Sequence, residues 1–245
     1  MRLGPPLRLT LPPRGDTTST GPHRWLRLAF IVCVGIVVFL SLYVAVIRPW
    51  HMRWGATPDE VTRVMPGDSL VPDPFEVTTR GITIKAWRAH VWPWLAQMGK
   101  GRGGLYSYDW LDQLFGVLDT PSSDTLLPGF GEIRAGDTIP VGGSAGWPVA
   151  IANPNHFLLL HIHQAGANVT WAFALDSITP THTRLVMRVR ARLPRTGWRP
   201  LQVAVLDPAE FVMVRRQLIG IRDRAERLAA ADTAFGRPRA DHNRD

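Results

Sequence analysis

Three kinds of hydrophobic pattern succeed one another along the 245 residues. The first is an unbroken run, LAFIVCVGIVVFLSLYVAVI, twenty residues from Leu28 to Ile47 without a charge. A helix of that length, rising ~1.5 Å per residue, spans the ~30 Å hydrocarbon core of a bilayer, so the run predicts a transmembrane helix over 25–47. Trp25, Tyr43, Trp50 and Trp54 lie near its ends, where amphipathic rings favour the headgroup layer. The run is longer than the apolar stretch of a signal peptide and no small-residue cleavage site follows, so it reads as an uncleaved single-pass anchor. Arg2, Arg8, Arg14, Arg24 and Arg27 precede it, while Arg48, Arg53 and Arg63 follow. The positive-inside rule leans toward a cytoplasmic N-terminus with the body of the chain outside.

The second pattern is alternation. VTTRGITIKA, 77–86, is β-branched and predicts a strand. A helix follows over Arg88–Met98, bent or started by Pro93 and stopped by Gly99; Ser107 then caps a second short helix that Gly116 ends. GDTIPV, PVAIANP, FLLLHIH, VTWAFALDSI and TRLVMRVRARL come next, separated by turn residues, as a run of antiparallel strands. In the last, Arg184, Val186, Arg188, Arg190 and Arg192 share one side; Leu185, Met187, Val189 and Ala191 share the other. One face is therefore expected to be wet and the other buried.

The third pattern is a helical stripe. Asp207, Pro208 and Glu210 form a capping-box-like start, with Asp207 as N-cap, and Phe211, Val214, Leu218, Ile221, Ala225 and Leu228 recur at alternating spacings of three and four. A helix so marked must lie on something apolar. Strand, two helices, several antiparallel strands and one long amphipathic helix make an α+β domain over 77–231. The segment between anchor and domain, 48–76, is rich in Pro, Asp and Gly and reads as a linker that packs onto the domain, with one short helix near Pro58–Val64. The ends, 1–24 and 232–245, read as disordered tails.

Charge alters this picture little. The net charge is +8, but residues 1–54 hold seven Arg against one Asp, so the body carries only +2. That distribution argues against nucleic acid as a partner. Cys33, the single cysteine, sits in the anchor, so there is no disulfide framework and no cysteine metal site.

Four motifs raise chemistry and lose it on context. GKGRGG, 99–104, matches the glycine spacing of a dinucleotide fingerprint, but it leaves a helix, where that motif must leave a strand and open one. A turn between helices explains it better. GGSAG, 142–146, matches the nucleophile elbow around Ser144, yet a strand and not a helix follows. His161 and His163 project to one side of a strand, with Asp176 or His156 as conceivable third ligands; spacing fixes no complete set, and no metal or other cofactor is expected. NVT, 168–170, is a glycosylation sequon without a context that gives it meaning.

What remains unusual is aromatic density: Trp92, Trp94, Tyr106, Tyr108, Trp110, Trp171 and Phe173. Such rings fill ordinary cores, and they also line apolar cavities in which a Tyr hydroxyl orients a ligand. VWPWLAQMGKGRGGLYSYDWLDQLFG (91–116), WAFAL (171–175), TRLVMRVRARL (183–193) and FVMVRRQLIGIRDRAE (211–226) together resemble the uncharacterised, membrane-anchored bacterial members of the SRPBCC (START-like, helix-grip) superfamily. The resemblance spans about 57–231, and Trp87 stands where that group usually has Pro. It implies a curved antiparallel sheet gripping the C-terminal helix around a cavity for a hydrophobic ligand. Its candidate lining is Trp94, Met98, Tyr106, Tyr108, Trp110, Trp171, Phe173, Met187, Phe211 and Val214. No catalytic set runs through that superfamily, so none is carried over.

The leading expectation is thus a single-pass protein of the cell membrane whose domain binds a lipid or other hydrophobic small molecule. The Arg184, Arg188, Arg190 and Arg192 row is either a solvated strand face or a contact for anionic headgroups. Two rivals remain: a cyclase- or hydratase-type enzyme using Tyr106, Tyr108, Asp109 or the His161 and His163 pair as acid and base, and a ligand-free interaction module. Convergence of those polar groups in one cavity separates the first rival from simple binding.

Overall fold

The computed structural model describes residues 22–142, 146–164, 166–193 and 206–234, in two compact units that divide after Tyr43. Both chain ends and Ser144 lie outside the described residues. In the first unit α1 (Pro22–Leu42) exposes nearly all of its apolar side chains. A π-helical turn (Tyr43–Ile47) and α2 (Arg48–Met52) continue it, and the run Arg24–Met52 is long and apolar enough to cross a membrane.

The second unit is built on one six-stranded antiparallel sheet, ordered β1 (Glu76–Ile84), β6 (His182–Arg192), β5 (Ala167–Thr179), β4 (Phe157–Gln164), β3 (Trp147–Asn153) and β2 (Thr138–Ile139). β1 enters at one edge and pairs with the last strand, Glu76 opposite Ala191 through to Ile84 opposite Thr183. Between β1 and β2 lie α4 (Arg88–Ala96) and α5 (Asp109–Leu114). After β6 comes α6 (Asp207–Ala234), seven to eight turns long at ~3.6 residues per turn. Trp87, extended and just before α4, is its N-cap.

Side-chain parity separates the two sheet faces. Ile82, Ile84, Leu158, Leu160, Phe173, Leu175, Leu185 and Met187 fall in one core cluster with Val91, Leu95 and Met98 of the α4 region and Leu218, Ile221 and Ala225 of α6. This is the gripped face, and the central residues of the predicted stripe are fully buried on it. Phe157, Leu159, Ala172, Ala174 and Val186 point the other way and form a second cluster with Met65. The sheet is covered on both sides.

The cover on that outer side is the segment 55–73, and it overturns the expectation of a wet arginine face. α3 (Pro58–Thr62) opens with a complete capping box, Thr57 and Glu60 bonding each other's backbone N–H. From this strap Glu60 takes Arg184 at 2.7 Å, Asp68 takes Arg188 at 2.7 Å, and Arg63 reaches back to Asp176 at 2.7 Å. Arg188 is 3% exposed. Its guanidinium donates to Thr79 Oγ1, to the carbonyls of Glu60, Val61 and Arg63, and to Asp68. Arg190 donates twice to the Val71 carbonyl, and Gly67, at φ 86°, passes so close to the Leu159 side chain that a β-carbon there would displace it. Alternation of Arg with apolar residues shows that two faces differ; it does not show that an acidic segment covers the polar one.

A second set of ion pairs fixes the start of α6. Arg80, on the gripped face of β1 and 0% exposed, donates both terminal nitrogens to Glu210 at 2.7 Å and its Nε to the His51 carbonyl. Arg48 donates to Asp207 at 2.8 Å and lies 3.5 Å from Glu76. The two carboxylates expected to cap the helix thus receive arginines, and Asp207 is itself helical. Phe211 is packed against the rings of Trp50, His51 and Trp54, at 5.5, 5.2 and 6.3 Å.

Candidate functional site

The candidate site is the interior between the gripped face and α6, reached by following the two aromatic-rich helices. α4 carries Trp92, Trp94 and Leu95 into the core, and Pro93 does not break it, because Gln97 still donates to the Pro93 carbonyl at 3.0 Å. The chain then turns through Gly99–Gly104. Gly99 and Gly104 bond each other's backbone in both directions; Lys100, Arg102 and Gly103 donate to the carbonyls of Pro140, Gly99 and Gln97. A phosphate cradle needs such N–H groups free to point at a ligand. Here they close a turn, which disposes of the nucleotide reading.

The turn delivers Tyr106 in the left-handed region, at φ 61°. A non-glycine residue held there costs ~1–3 kcal/mol and needs firm neighbours. They are present: its N–H donates to Ser122 Oγ, itself bonded to Asp109, and its hydroxyl donates to the Trp94 carbonyl at 2.9 Å. Trp94 meets the ring edge-on at 6.0 Å and Arg224 lies over it at 4.9 Å. On α6, Gly220 leaves room for the Tyr106 backbone, where any β-carbon would overlap the Tyr106 carbonyl. Burial pushes the phenol far above the ordinary tyrosine value, against smaller opposing effects of Gln97, Arg224 and Arg102. It is a fixed hydrogen-bond donor and not an acid or base near neutrality.

The ten lining candidates divide. Trp94, Met98, Tyr106, Phe173 and Met187 are fully buried in the gripped cluster, and Trp171 and Val214 pack against it. Tyr108 is half-buried with Arg216 over its ring at 6.0 Å; Phe211 faces α2; Trp110, at 66%, is exposed. Within this cluster two buried indole donors, Trp94 Nε1 and Trp171 Nε1, have no acceptor among the described residues. Gln217, buried on α6, donates to the Met98 thioether at 3.4 Å, a weak acceptor. Sequence reading missed Gln217, whose signal is an amide one residue from Leu218 on the buried stripe.

The acid–base groups do not converge. His161 and His163 stack at 6.0 Å with the parity of Phe157 and Leu159, on the outer sheet face, and His161 Nε2 pairs with Asn168 Oδ1 at 2.8 Å. Asn168, the sequon residue, donates in turn to the Leu70 carbonyl of the strap. Asp109 holds Ser122, Asp176 pairs with Arg63, and His156 Nδ1 lies 2.9 Å from the Pro154 carbonyl. Among the described residues no three His, Cys, Asp or Glu side chains come together as a metal site. A pocket of about 360 Å³ lies on the outer face between the strap and Arg188 and Arg190. The Arg188 guanidinium beside it is already occupied by the strap.

No family model matches the chain, and no curated protein matches it. Solved structures do. The chain is similar to the ZhuI aromatase/cyclase from Streptomyces sp. R1128, at 15% identity over 64% of this chain and 95% of that one, with a TM-score of 0.36. A protein of Thermus thermophilus matches at 12% identity, over 64% and 99%, with a TM-score of 0.38. A protein of Mesorhizobium loti matches at 15% identity, over 62% and 98%, with a TM-score of 0.36. The topology itself is what the element order describes: β1 beside the last strand, two helices crossing to the far edge, an antiparallel return and one long helix held on the inner face. The folded unit is an α+β domain in which a six-stranded antiparallel sheet grips one long C-terminal helix, a helix-grip arrangement.

Proposed function

We propose that this is a single-pass membrane protein whose helix-grip domain binds a hydrophobic small molecule or lipid bearing hydrogen-bond acceptors. The observation that carries the reading is the pair of buried indole donors without acceptors, Trp94 Nε1 and Trp171 Nε1, in an otherwise apolar cluster. Leaving a buried donor unmade costs ~1–3 kcal/mol, so two in one core favour a molecule that supplies carbonyl, ether or hydroxyl oxygens. Gln217 adds a third donor on the facing helix. Binding is preferred to catalysis because the polar groups an acid–base enzyme would use lie on opposite faces of the sheet. The run Arg24–Met52 supports the anchor, and the arginine excess before it supports placing the domain outside the cytoplasm. An anchored binder meets a membrane-dissolved ligand at high local concentration.

The test is mass spectrometry of small molecules carried by the full chain purified in detergent, beside a Trp94→Phe, Trp171→Phe double variant. The expected result is an apolar, oxygen-bearing molecule on the wild-type chain, with occupancy at least about threefold lower on the variant. A wild-type chain that carries none and takes up none from a supplied lipid extract would sink the reading in favour of a ligand-free module.

A further inference from the structure

The helix α5 is inverted. A surface helix normally buries its apolar side and shows its polar one. Here Asp112 is 2% exposed, held by Ser107, with Val117 and Leu118 donating to its carbonyl; Asp109 anchors Ser122. The acidic side ties the helix down. Trp110, Leu114 and Phe115 stand outward at 66, 70 and 72% exposure. Trp110 and Leu114 are four residues apart and share one side, and Phe115 extends it. Three large apolar residues held outward by a polar underside form a surface that needs a cover.

The position of this edge says what covers it. Tyr106 lies against Gly220 and Tyr108 under Arg216, so the chain entering α5 runs antiparallel to α6, toward its N-terminal end. At that end Phe211 is held by Trp50 and Trp54, where the apolar run Arg24–Met52 joins the folded unit. Trp50 and Val212 are also exposed there, beside Arg215 and Arg216. Tryptophan and phenylalanine with arginine nearby is the composition of a segment that sits in the interfacial layer of a bilayer.

We propose that Trp110, Leu114 and Phe115 seat in the surface of the same bilayer that the anchor crosses, giving the domain a second membrane contact. This rests on the reading of Arg24–Met52 as an anchor. The contact sets the orientation of the domain and holds the Tyr106–Gly220 junction, and with it the interior beneath α6, close to the lipid.

The experiment uses the full chain in phosphatidylcholine vesicles whose lipids carry bromines either high on the acyl chain or near its end. An environment-sensitive nitrobenzoxadiazole probe is placed on native Cys33, or on Leu114→Cys or Arg134→Cys in a Cys33→Ser background. Cys33 reports the anchor, and Arg134, in an exposed loop, reports solvent. The expected result is deep quenching at Cys33, and shallow quenching at Leu114→Cys at least about fivefold stronger than at Arg134→Cys. Quenching at Leu114→Cys no greater than at Arg134→Cys, with Cys33 deeply quenched, overturns the second contact and leaves the anchor standing. A blue-shifted but unquenched Leu114→Cys probe overturns it in favour of a protein cover. An unquenched Cys33 probe overturns the anchor, and the proposal with it.

Discussion

Arg188 gives the sharpest test of how the domain is built. Replacing it with Ala removes a guanidinium that is 3% exposed and that donates to Thr79, Asp68 and three strap carbonyls. Summing those bonds at ~1.5–3 kcal/mol for a charged donor would exceed ~7 kcal/mol. That sum overcounts, because the carbonyls and Asp68 regain water when the strap lifts. The deciding quantity is the removal of one partner from a buried ion pair, ~3–5 kcal/mol, a large part of the ~5–15 kcal/mol that holds a domain together. Arg188→Ala in the full chain is therefore expected to lower the urea unfolding free energy, read from tryptophan fluorescence, by ~3–5 kcal/mol. It should also speed tryptic cleavage after Arg63 before global unfolding. The double variant Arg188→Met, Asp68→Asn removes both charges and should recover about half of the loss or more. A single substitution that costs less than ~1 kcal/mol and leaves Arg63 protected would refute the buried strap.

Two further outcomes follow from packing and charge. Gly220→Ala gains ~1 kcal/mol of helix propensity but sets a methyl group into the Tyr106 carbonyl and 2.9 Å from its Cβ, so a net loss of ~1–3 kcal/mol is expected, with the Trp94–Tyr106 near-ultraviolet dichroism reduced; a stabilised variant would show that the junction is loose. Burial alone would raise the Glu60 carboxyl, but the Arg184 hydrogen bonds, the Thr57 N–H and the charges of Arg184 and Arg63 prevail and hold it below the ordinary glutamate range. A depressed carboxyl stabilises above its unfolded value and loses that contribution as pH falls through the folded one, so the thermal midpoint of Glu60→Gln should lie below wild type at pH 7 and converge on it as pH falls through the lowered Glu60 value. Glu76 and Asp112, pushed up mainly by burial, work in the opposite sense and favour the fold as pH falls toward their raised values; both are present in each chain, so the difference isolates Glu60. A constant gap across that range would contradict the assignment.

The elements most legible in the sequence are those specified by local pattern. The long apolar N-terminal helix follows from a run without charge, the strands from alternation, and α6 from spacings of three and four; Leu218, Ile221 and Ala225 lie at the centre of the core as that spacing requires. What the pattern does not carry is pairing between distant segments. The face of Arg184, Arg188 and Arg190 looks solvated until Glu60 and Asp68 are placed upon it, although five acidic residues in a basic chain's linker, 48–76, are a visible signal. Trp110 reads as a core aromatic because hydrophobicity favours burial; it is outside because Asp109 and Asp112 hold the other side of α5 inward. His161 and His163 have a ligand's spacing, but only the sheet's parity shows that they stand on the side away from the grip. Arg80 has the inward parity of Ile82 and Ile84, and Glu210 looks like part of a cap, so neither residue alone announces the pair.

The strap also sets a timetable for synthesis. Asp68 leaves the ribosome 120 residues before Arg188, and Arg80 leaves 130 residues before Glu210. At ~5–20 residues per second those partners are separated by on the order of ten seconds, during which β1 has no neighbour and the strap no surface to lie on. The outer cluster around Leu159 and Val186 closes only after the sixth strand arrives. A chain truncated before that strand keeps its apolar helix, strap and inner helices but has nothing to hold them together, so the outer face stays open until only about fifty residues remain to be made.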